Sequence, residues 1–277
     1  MKPNKFFFRF IHYFIVVVVC AVTLFPVYWL LNSSMQPQES ISAYPPKFWP
    51  KEFTLEAYTT ILKNQPLFTW LKNSLIVSSI TTLFSIMMAI FAGYSMSRFK
   101  FRGKFLLELI TLGSQLLPAT LLIVPMFFLY IRIGLLNKLL GLIVANTTAS
   151  LPLCIWMMKG FFDSIPIELE EVARIDGCTR LGTLFKITLP LALPGIAATS
   201  AFSFLLAWDE FLFAGVVISD TANWVATIGL NSFVGQYWTP QNQMLAAAAM
   251  FSIPPIILFI FIQPYLVSGL TAGGVKG

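Results

Sequence analysis

The chain has 277 residues, of which 57% are hydrophobic and only 11% are charged. A soluble globular domain normally carries about a quarter charged residues, so this composition excludes a water-soluble fold and indicates a polytopic membrane protein. The net charge of +6 does not indicate a nucleic-acid-binding protein, because the basic residues are scattered between long apolar runs.

Several apolar stretches are long enough to cross a bilayer, for which about 20 residues of helix suffice. The first stretch follows basic residues, as in a signal peptide, but it is longer than a signal sequence and no cleavage site follows it, so we expect a retained helix. The sequence therefore predicts an all-α membrane protein with six transmembrane helices, at about 11–32, 70–97, 105–131, 139–161, 192–218 and 244–267.

The distribution of Lys and Arg predicts the orientation of these helices, since positive charge favours the cytoplasmic side. With the N-terminus inside, the inner segments hold twelve of the 18 Lys and Arg residues and the outer segments hold six. Both termini are then cytoplasmic. The long connections 33–69 and 219–243 are expected outside, and the connection 162–191 is expected inside.

The inner connection 162–191 contains signals for a short helix. Pro166 stands where a helix can begin, and Ser164 can cap it. Gly177 can end it in a left-handed conformation. The first turns are acidic, where the helix dipole favours negative charge, with Glu168, Glu170 and Glu171.

This short helix has a small, mostly apolar face, because Leu169, Val172, Ala173 and Asp176 recur at helical spacing. A second helical run, at about 179–188, leads back to the membrane. An exposed apolar face requires either a partner protein or packing on the chain's own helices, and the residues alone leave both interpretations open.

The spacing of particular residues in this loop is typical of one family. The motif has E-A-A, three residues, G, nine residues and I-x-L-P, and it resembles the EAA loop of ATP-binding-cassette (ABC) importer permeases. Val172 and Cys178 depart from the alanine that is usual in the carbohydrate branch, but both are small and apolar. The residues that stand at the motif positions, all at the family spacing, are Glu171, Val172, Ala173, Gly177, Ile187, Leu189 and Pro190.

The resemblance extends to the segments TWLKNSLIVSSITT, WDEFLFA and QPYLVSGLTAGGVKG, which are similar to the second membrane subunit of maltose-type and multiple-sugar permeases. Asp209 stands where that family has asparagine. The resemblance implies a type I importer fold with three parts. These are an N-terminal helix with an extracytoplasmic segment (1–65), a permease core of five helices with the EAA loop at about 163–190 (66–268), and a cytoplasmic tail (269–277).

The resemblance also implies partners and a location. The chain would pair with a different permease subunit, dock two ATP-binding subunits and receive a sugar from an extracytoplasmic solute-binding protein, within the lipid of a bacterial cytoplasmic membrane. The coupling helix would comprise Glu170, Glu171, Val172, Ala173, Asp176 and Gly177, and Ile187, Leu189 and Pro190 would end the loop.

The sequence contains no phosphate-binding G-x-x-x-x-G-K-[ST] motif and no plausible catalytic set. We therefore expect a transport subunit rather than an enzyme, with no cofactor of its own and with ATP and Mg²⁺ on the partner ATPase subunits. Cys20, Cys154 and Cys178 lack the spacing of a zinc site, so no metal is expected.

Acidic residues lie within the fifth predicted helix, where ionised carboxylates are costly and are not expected to face lipid. Asp209 and Glu210 are candidates for the translocation path, with Trp208 stacking on a sugar ring. The alternative is a structural acid held in an ion pair.

Other functions remain open at this point. An ion-coupled secondary transporter or an intramembrane enzyme could use the same acids, but neither explains the EAA spacing. Within the importer class, a glycerol 3-phosphate permease is the alternative to a sugar permease. The predicted spans contain no clear basic cluster for a phosphate, which favours an uncharged sugar, for instance an oligosaccharide of the raffinose or maltodextrin type.

Overall fold

A computed structural model describes residues 5–44, 48–49, 52–235 and 237–274, with side chains described for residues 9–265 of these ranges. The described residues form helices and no strand. The helices are α1 (Lys5–Ser34), α2 (Gln38–Ile41), α3 (Glu56–Asn64), α4 (Leu67–Arg98), α5 (Lys104–Gly113), α6 (Ala119–Ile133), α7 (Leu139–Asp163), α8 (Glu168–Ile175), α9 (Arg180–Thr183), α10 (Leu189–Leu191), α11 (Leu193–Trp208), α12 (Leu212–Val217), α13 (Ala226–Asn231) and α14 (Gln241–Gly274).

Four of these helices, α1, α4, α7 and α14, are each long and apolar enough to cross a membrane. They correspond to four of the predicted spans. Two bent pairs of helices are also apolar enough if each pair is counted as one span, so the described residues contain four to six candidate spans.

The third predicted span, 105–131, is not one continuous helix. The axes of α5 and α6 differ by 97° across a short break. Pro118 lies in this break and Leu117 before it is extended, with a ψ of 122°. Because proline disfavours a helical conformation in the preceding residue, the sequence at Leu117-Pro118 accounts for the bend.

The fifth predicted span, 192–218, is also not one continuous helix. At its start, the axis of α11 lies 78° from that of the helical run Arg180–Leu191, which precedes the predicted span. At its other end α11 stops at Trp208, and α12 begins only at Leu212. The prediction that Asp209 and Glu210 lie inside a helix is therefore wrong.

The chain divides into two compact units. The smaller unit comprises Met1–Leu67 and Leu230–Ser252. Within it, the hydroxyl groups of Ser34 and Tyr58 lie 2.7 Å apart and join the end of α1 to α3. Ala57 and Ile61 on α3 are buried. Most large side chains of α1 are exposed, as expected of a helix that faces lipid.

The larger unit comprises Phe68–Gly229 and Ile253–Gly277 and contains two clusters of buried apolar residues. One surrounds Tyr130, Leu142 and Phe213. The other joins the ends of α4 and α7 to the loop that follows α7, and consists of Ala89, Tyr94, Cys154, Met158, Phe162, Ile165, Leu184 and Ala192. Through this second cluster the loop packs against α4 and α7 of its own unit.

Candidate coupling site

The short helix predicted in the inner connection is present as α8, and it begins soon after Pro166 as expected. The predicted cap is wrong, because the Ser164 hydroxyl donates to the Phe161 carbonyl at 2.7 Å and so completes the preceding helix α7. Within the described part of the chain, no side chain caps the N-terminus of α8. Three acidic residues in the first turn, Glu168, Glu170 and Glu171, complement the helix dipole there.

Gly177 ends α8 in the left-handed conformation that the sequence predicts, with a φ of +91°. Two backbone bonds close the turn. The Cys178 N–H donates to the Ala173 carbonyl at 3.0 Å, and the Gly177 N–H donates to the Arg174 carbonyl at 3.1 Å. This pair of bonds is the Schellman arrangement, in which glycine avoids the strain that a β-carbon causes at positive φ.

The side chain of Glu170 points inward, not towards solvent, and is only 6% exposed. Its carboxylate accepts hydrogen bonds from Arg98 Nε at 2.8 Å, Tyr94 OH at 2.8 Å and Thr188 Oγ1 at 3.0 Å. Arg98 Nη2 also donates to the Ile165 carbonyl at 2.9 Å. Glu170 thus joins α8 to the end of α4 and to the second half of the loop.

The opposite side of α8 is an exposed apolar face formed by Leu169, Val172 and Ile175, which are 45%, 57% and 84% exposed. Glu171 and Asp176 are exposed as well, whereas Ala173 is buried. The predicted face therefore differs in one member, since Ala173 packs inward and Ile175 takes its place. The sequence feature that could have placed Ile175 on this face is its position three residues after Val172, since residues at that spacing share one side of a helix.

The second half of the loop is helical, as predicted, but its middle is a π-helical turn over Leu184–Thr188. Pro190 lies two residues after this turn and has no N–H to donate to the Lys186 carbonyl, which accounts for the wider turn. Thr188 is buried in this turn and bonds Glu170. Ile187 and Leu189 are half-buried and Pro190 is exposed, where the chain returns to α11.

The predicted translocation residues lie at the break between α11 and α12. The ring of Trp208 is buried and stacks on Phe204, with centroids 5.7 Å apart and planes at 14°. Asp209 is exposed. The Glu210 carboxylate accepts hydrogen bonds from the N–H groups of Phe213 at 2.6 Å and Ala214 at 3.0 Å, so it satisfies the first turn of α12. A role in translocation stays a prediction for all three residues.

Comparison with known proteins identifies relatives that cover most of the chain. Residues 82–272 match the family described as "Binding-protein-dependent transport system inner membrane component". The chain is 33% identical to the inner membrane ABC transporter permease protein YcjP of Escherichia coli K12, over 92% of each chain. It is 36% identical to the sulfoquinovosyl glycerol transport system permease protein SmoH of Agrobacterium fabrum, over 92% of this chain and 89% of that protein. It is 31% identical to the trehalose/maltose transport system permease protein MalG of Thermococcus litoralis, over 94% of each chain.

The fold is similar to a solved chain from a bacterial ABC transporter involved in the import of the acidic polysaccharide alginate. The TM-score is 0.78 at 20% sequence identity, and the match covers 96% of this chain and 98% of that chain. A second solved chain is described as the bacterial alginate ABC transporter in complex with a periplasmic protein bound to an alginate pentasaccharide, and matches with a TM-score of 0.67 at 16% identity over 95% of this chain and 96% of that chain.

Proposed function

Since this chain belongs to the family of binding-protein-dependent transport system inner membrane components, we propose that it is one of two different permease subunits of a sugar importer. The chain is a transport subunit of the cytoplasmic membrane, as its family is. In the proposed complex, two separate subunits bind ATP and Mg²⁺ and hydrolyse ATP. A solute-binding protein delivers the sugar from outside.

The proposed substrate is a glycoside or short oligosaccharide. Relatives carry names for the transport of sulfoquinovosyl glycerol, trehalose and maltose, diacetylchitobiose, and arabinooligosaccharides. These compounds share a sugar ring in glycosidic linkage. A ring of this kind offers hydroxyl groups for hydrogen bonds and a weakly polar face for aromatic contacts.

The proposed topology has six spans at about the six ranges that the sequence predicts, and two of these spans are bent or interrupted, at α5–α6 and at α11–α12. Positive charge favours the orientation in which both termini and α8 are cytoplasmic. The segments around α2 and α3 and the connection 219–243 are then outside. In this arrangement residues 1–65 precede a permease core at 66–268, and residues 269–277 form a cytoplasmic tail.

One observation carries the functional proposal: α8 presents three exposed apolar residues on one side, and on the other side the buried Glu170 holds it to the chain's own α4. Leu169, Val172 and Ile175 form a stripe that suits a groove in another protein, as amphipathic helices do when they dock. In the proposed topology this stripe faces the cytosol, where exposed apolar surface indicates an interaction site. The ATP-binding subunit is the partner that an importer places there.

A crosslinking experiment tests this interface. Val172→Cys, at an exposed position of α8, should form a crosslink with the ATP-binding subunit in the assembled transporter. Ala173→Cys provides a matched control, because the neighbouring position is buried against the chain's own unit. Equal crosslinking at both positions, or crosslinking at neither, would contradict the proposed docking face.

An uptake experiment tests the sugar. Cells with the complete transporter should accumulate at least one of trehalose, diacetylchitobiose or an arabinooligosaccharide, and deletion of this chain should abolish that uptake. A transporter whose ATPase activity responds to none of these sugars with its binding protein, but does respond to glycerol 3-phosphate, would show that the proposed substrate class is wrong.

A further inference from the structure

A cavity of about 320 Å³ lies in the smaller unit, between α2, α3 and the start of α14. This volume is near the lower end of the range for small-molecule sites, about 300–1,000 Å³, so the cavity suits one end of a small ligand. The residues that line it include Glu39, Glu56, Trp238, Asn242 and Gln243.

The walls of this cavity are held together by contacts within the same unit. The Gln38 side chain bridges two of them, because its Nε2 donates to the Thr239 carbonyl at 3.4 Å and its Oε1 accepts from the Asn242 N–H at 3.1 Å. Ala57, which is 2% exposed, lines the cavity from α3. Contacts within the unit therefore hold α2 against the start of α14 on one side of the cavity.

Several polar groups in the cavity are available to a ligand. Among the described residues, the carboxylates of Glu39 and Glu56 have no ion-pair partner, and both residues are exposed. Trp238 is 64% exposed. An aromatic ring combines an apolar face with a polar edge, and carboxylates form the stronger, charge-assisted hydrogen bonds with hydroxyl donors.

We propose that this cavity binds the terminal ring of a neutral sugar on the outer face of the transporter. The ring lies on Trp238, and its hydroxyl groups donate to Glu39 and Glu56 and exchange hydrogen bonds with Gln243. The inference rests on the proposed topology and sugar specificity, and it adds a sugar site in the outer segment of this subunit.

The charges of the cavity favour a neutral sugar over other ligands. Two carboxylates repel an acidic sugar or a phosphate. A bound metal ion is less favoured, because the described part of the chain contains no group of three or more His, Cys, Asp or Glu side chains that could hold one. The hydroxyl groups of a neutral sugar can donate hydrogen bonds to both carboxylates without charge repulsion and without a set of metal ligands.

The test uses the transporter purified with its partner subunits but without the binding protein or ATP. Saturation-transfer NMR measures binding of trehalose, diacetylchitobiose, an arabinooligosaccharide and an acidic alginate disaccharide. At least one neutral sugar should bind saturably. Trp238→Ala should weaken that binding about tenfold, as loss of an aromatic anchor does at binding hot spots. Gln243→Ala should weaken it too.

Trp49→Ala is the matched control, since Trp49 is a 70% exposed indole of the same unit that does not line the cavity. It should leave sugar binding unchanged. The double variant Glu39→Gln, Glu56→Gln should bind the acidic disaccharide more strongly than the wild type does, because it removes the repulsion.

The inference is overturned if none of the sugars binds, if Trp49→Ala weakens binding as much as Trp238→Ala, or if the site binds Ca²⁺ in place of sugar. Uptake separates this failure from failure of the proposed function. Sugar uptake without binding at the cavity refutes only the inference. Binding at the cavity without uptake of any of the sugars supports the sugar site itself and contradicts the proposed substrate class.

Discussion

Arg98 and Glu170 form a buried ion pair, with 2.8 Å between Nε and Oε1 and with side chains only 9% and 7% exposed. The pair joins the last residue of α4 to the first turn of α8, across 72 residues of sequence. A force that moves α8 therefore acts directly on a long apolar helix and is not transmitted only through the backbone of the connection.

The buried pair predicts a large effect of Glu170→Ala. The substitution leaves the Arg98 guanidinium buried without its carboxylate, and breaking a buried pair in this way costs about 3–5 kcal/mol. We expect a lower thermal unfolding midpoint and a lower yield of the purified complex. Glu170→Gln should be milder, because its amide oxygen still accepts a bond from Arg98.

Glu168→Ala is the control for this prediction, because Glu168 is exposed in the same turn of α8. Exposed charges of this kind contribute little to stability, so the unfolding midpoint should hardly change. If Glu168→Ala and Glu170→Ala lower the midpoint equally, the anchoring role assigned to Glu170 is wrong.

Gly177→Asp and Gly177→Asn together separate backbone strain from charge at the end of α8. Among the described residues, no neighbouring atom lies within 4 Å of the position of a new β-carbon, so the β-carbon itself meets no obstacle and the cost at this site is the positive φ. Both residues tolerate positive φ better than most others do. We expect Gly177→Asp to abolish uptake while the protein remains in the membrane, because it adds a charge at the docking surface.

Gly177→Asn has nearly the same shape without the charge and should retain a substantial part of the uptake. The measurements are sugar uptake and copurification of the ATP-binding subunit, each corrected for the amount of permease in the membrane. Normal uptake and normal copurification with Gly177→Asp would show that Gly177 is not near the docking surface.

The sequence predicted the ends of α8 well because Pro166 and Gly177 act locally on the backbone. It could not predict that the Glu170 side chain is buried against α4. Its partner Arg98 is far away in the chain, and an acidic first turn is equally typical of an exposed helix. The same limit applies at Trp208–Phe211. The hydropathy of this region predicts one continuous span. In the structure, the Glu210 carboxylate accepts hydrogen bonds from two backbone N–H groups at the start of a separate helix, α12.

The outer connection gives a prediction about the solute-binding protein. Tyr237 is 94% exposed, whereas the half-buried Trp224 packs on Trp70 with ring centroids 5.7 Å apart. Exposed aromatic residues are frequent anchors of interfaces. A photocrosslinker at Tyr237 should trap the binding protein, and one at Trp224 should not. A probe at Tyr237 that traps only lipid or other parts of the permease would contradict this role.

The break between α11 and α12 changes what is expected of its two acids. Glu210 satisfies the N–H groups of Phe213 and Ala214, so Glu210→Ala leaves two donors of α12 without their carboxylate. Loss of a capping acceptor costs about 0.5–2 kcal/mol, which should appear as a lower unfolding midpoint. Glu210→Gln keeps one acceptor oxygen and should be intermediate.

Asp209→Asn is the matched neighbouring change, because Asp209 is exposed and asparagine still accepts hydrogen bonds. It should leave the unfolding midpoint unchanged.

Measuring uptake on the same samples then separates a structural role of Glu210 from a role in transport. If Glu210 only caps α12, uptake by Glu210→Ala should fall in proportion to the amount of folded complex. A complex with Glu210→Ala that keeps its midpoint but loses uptake would show instead that the carboxylate acts on the sugar path. A variant that keeps both would contradict the capping role and the transport role together.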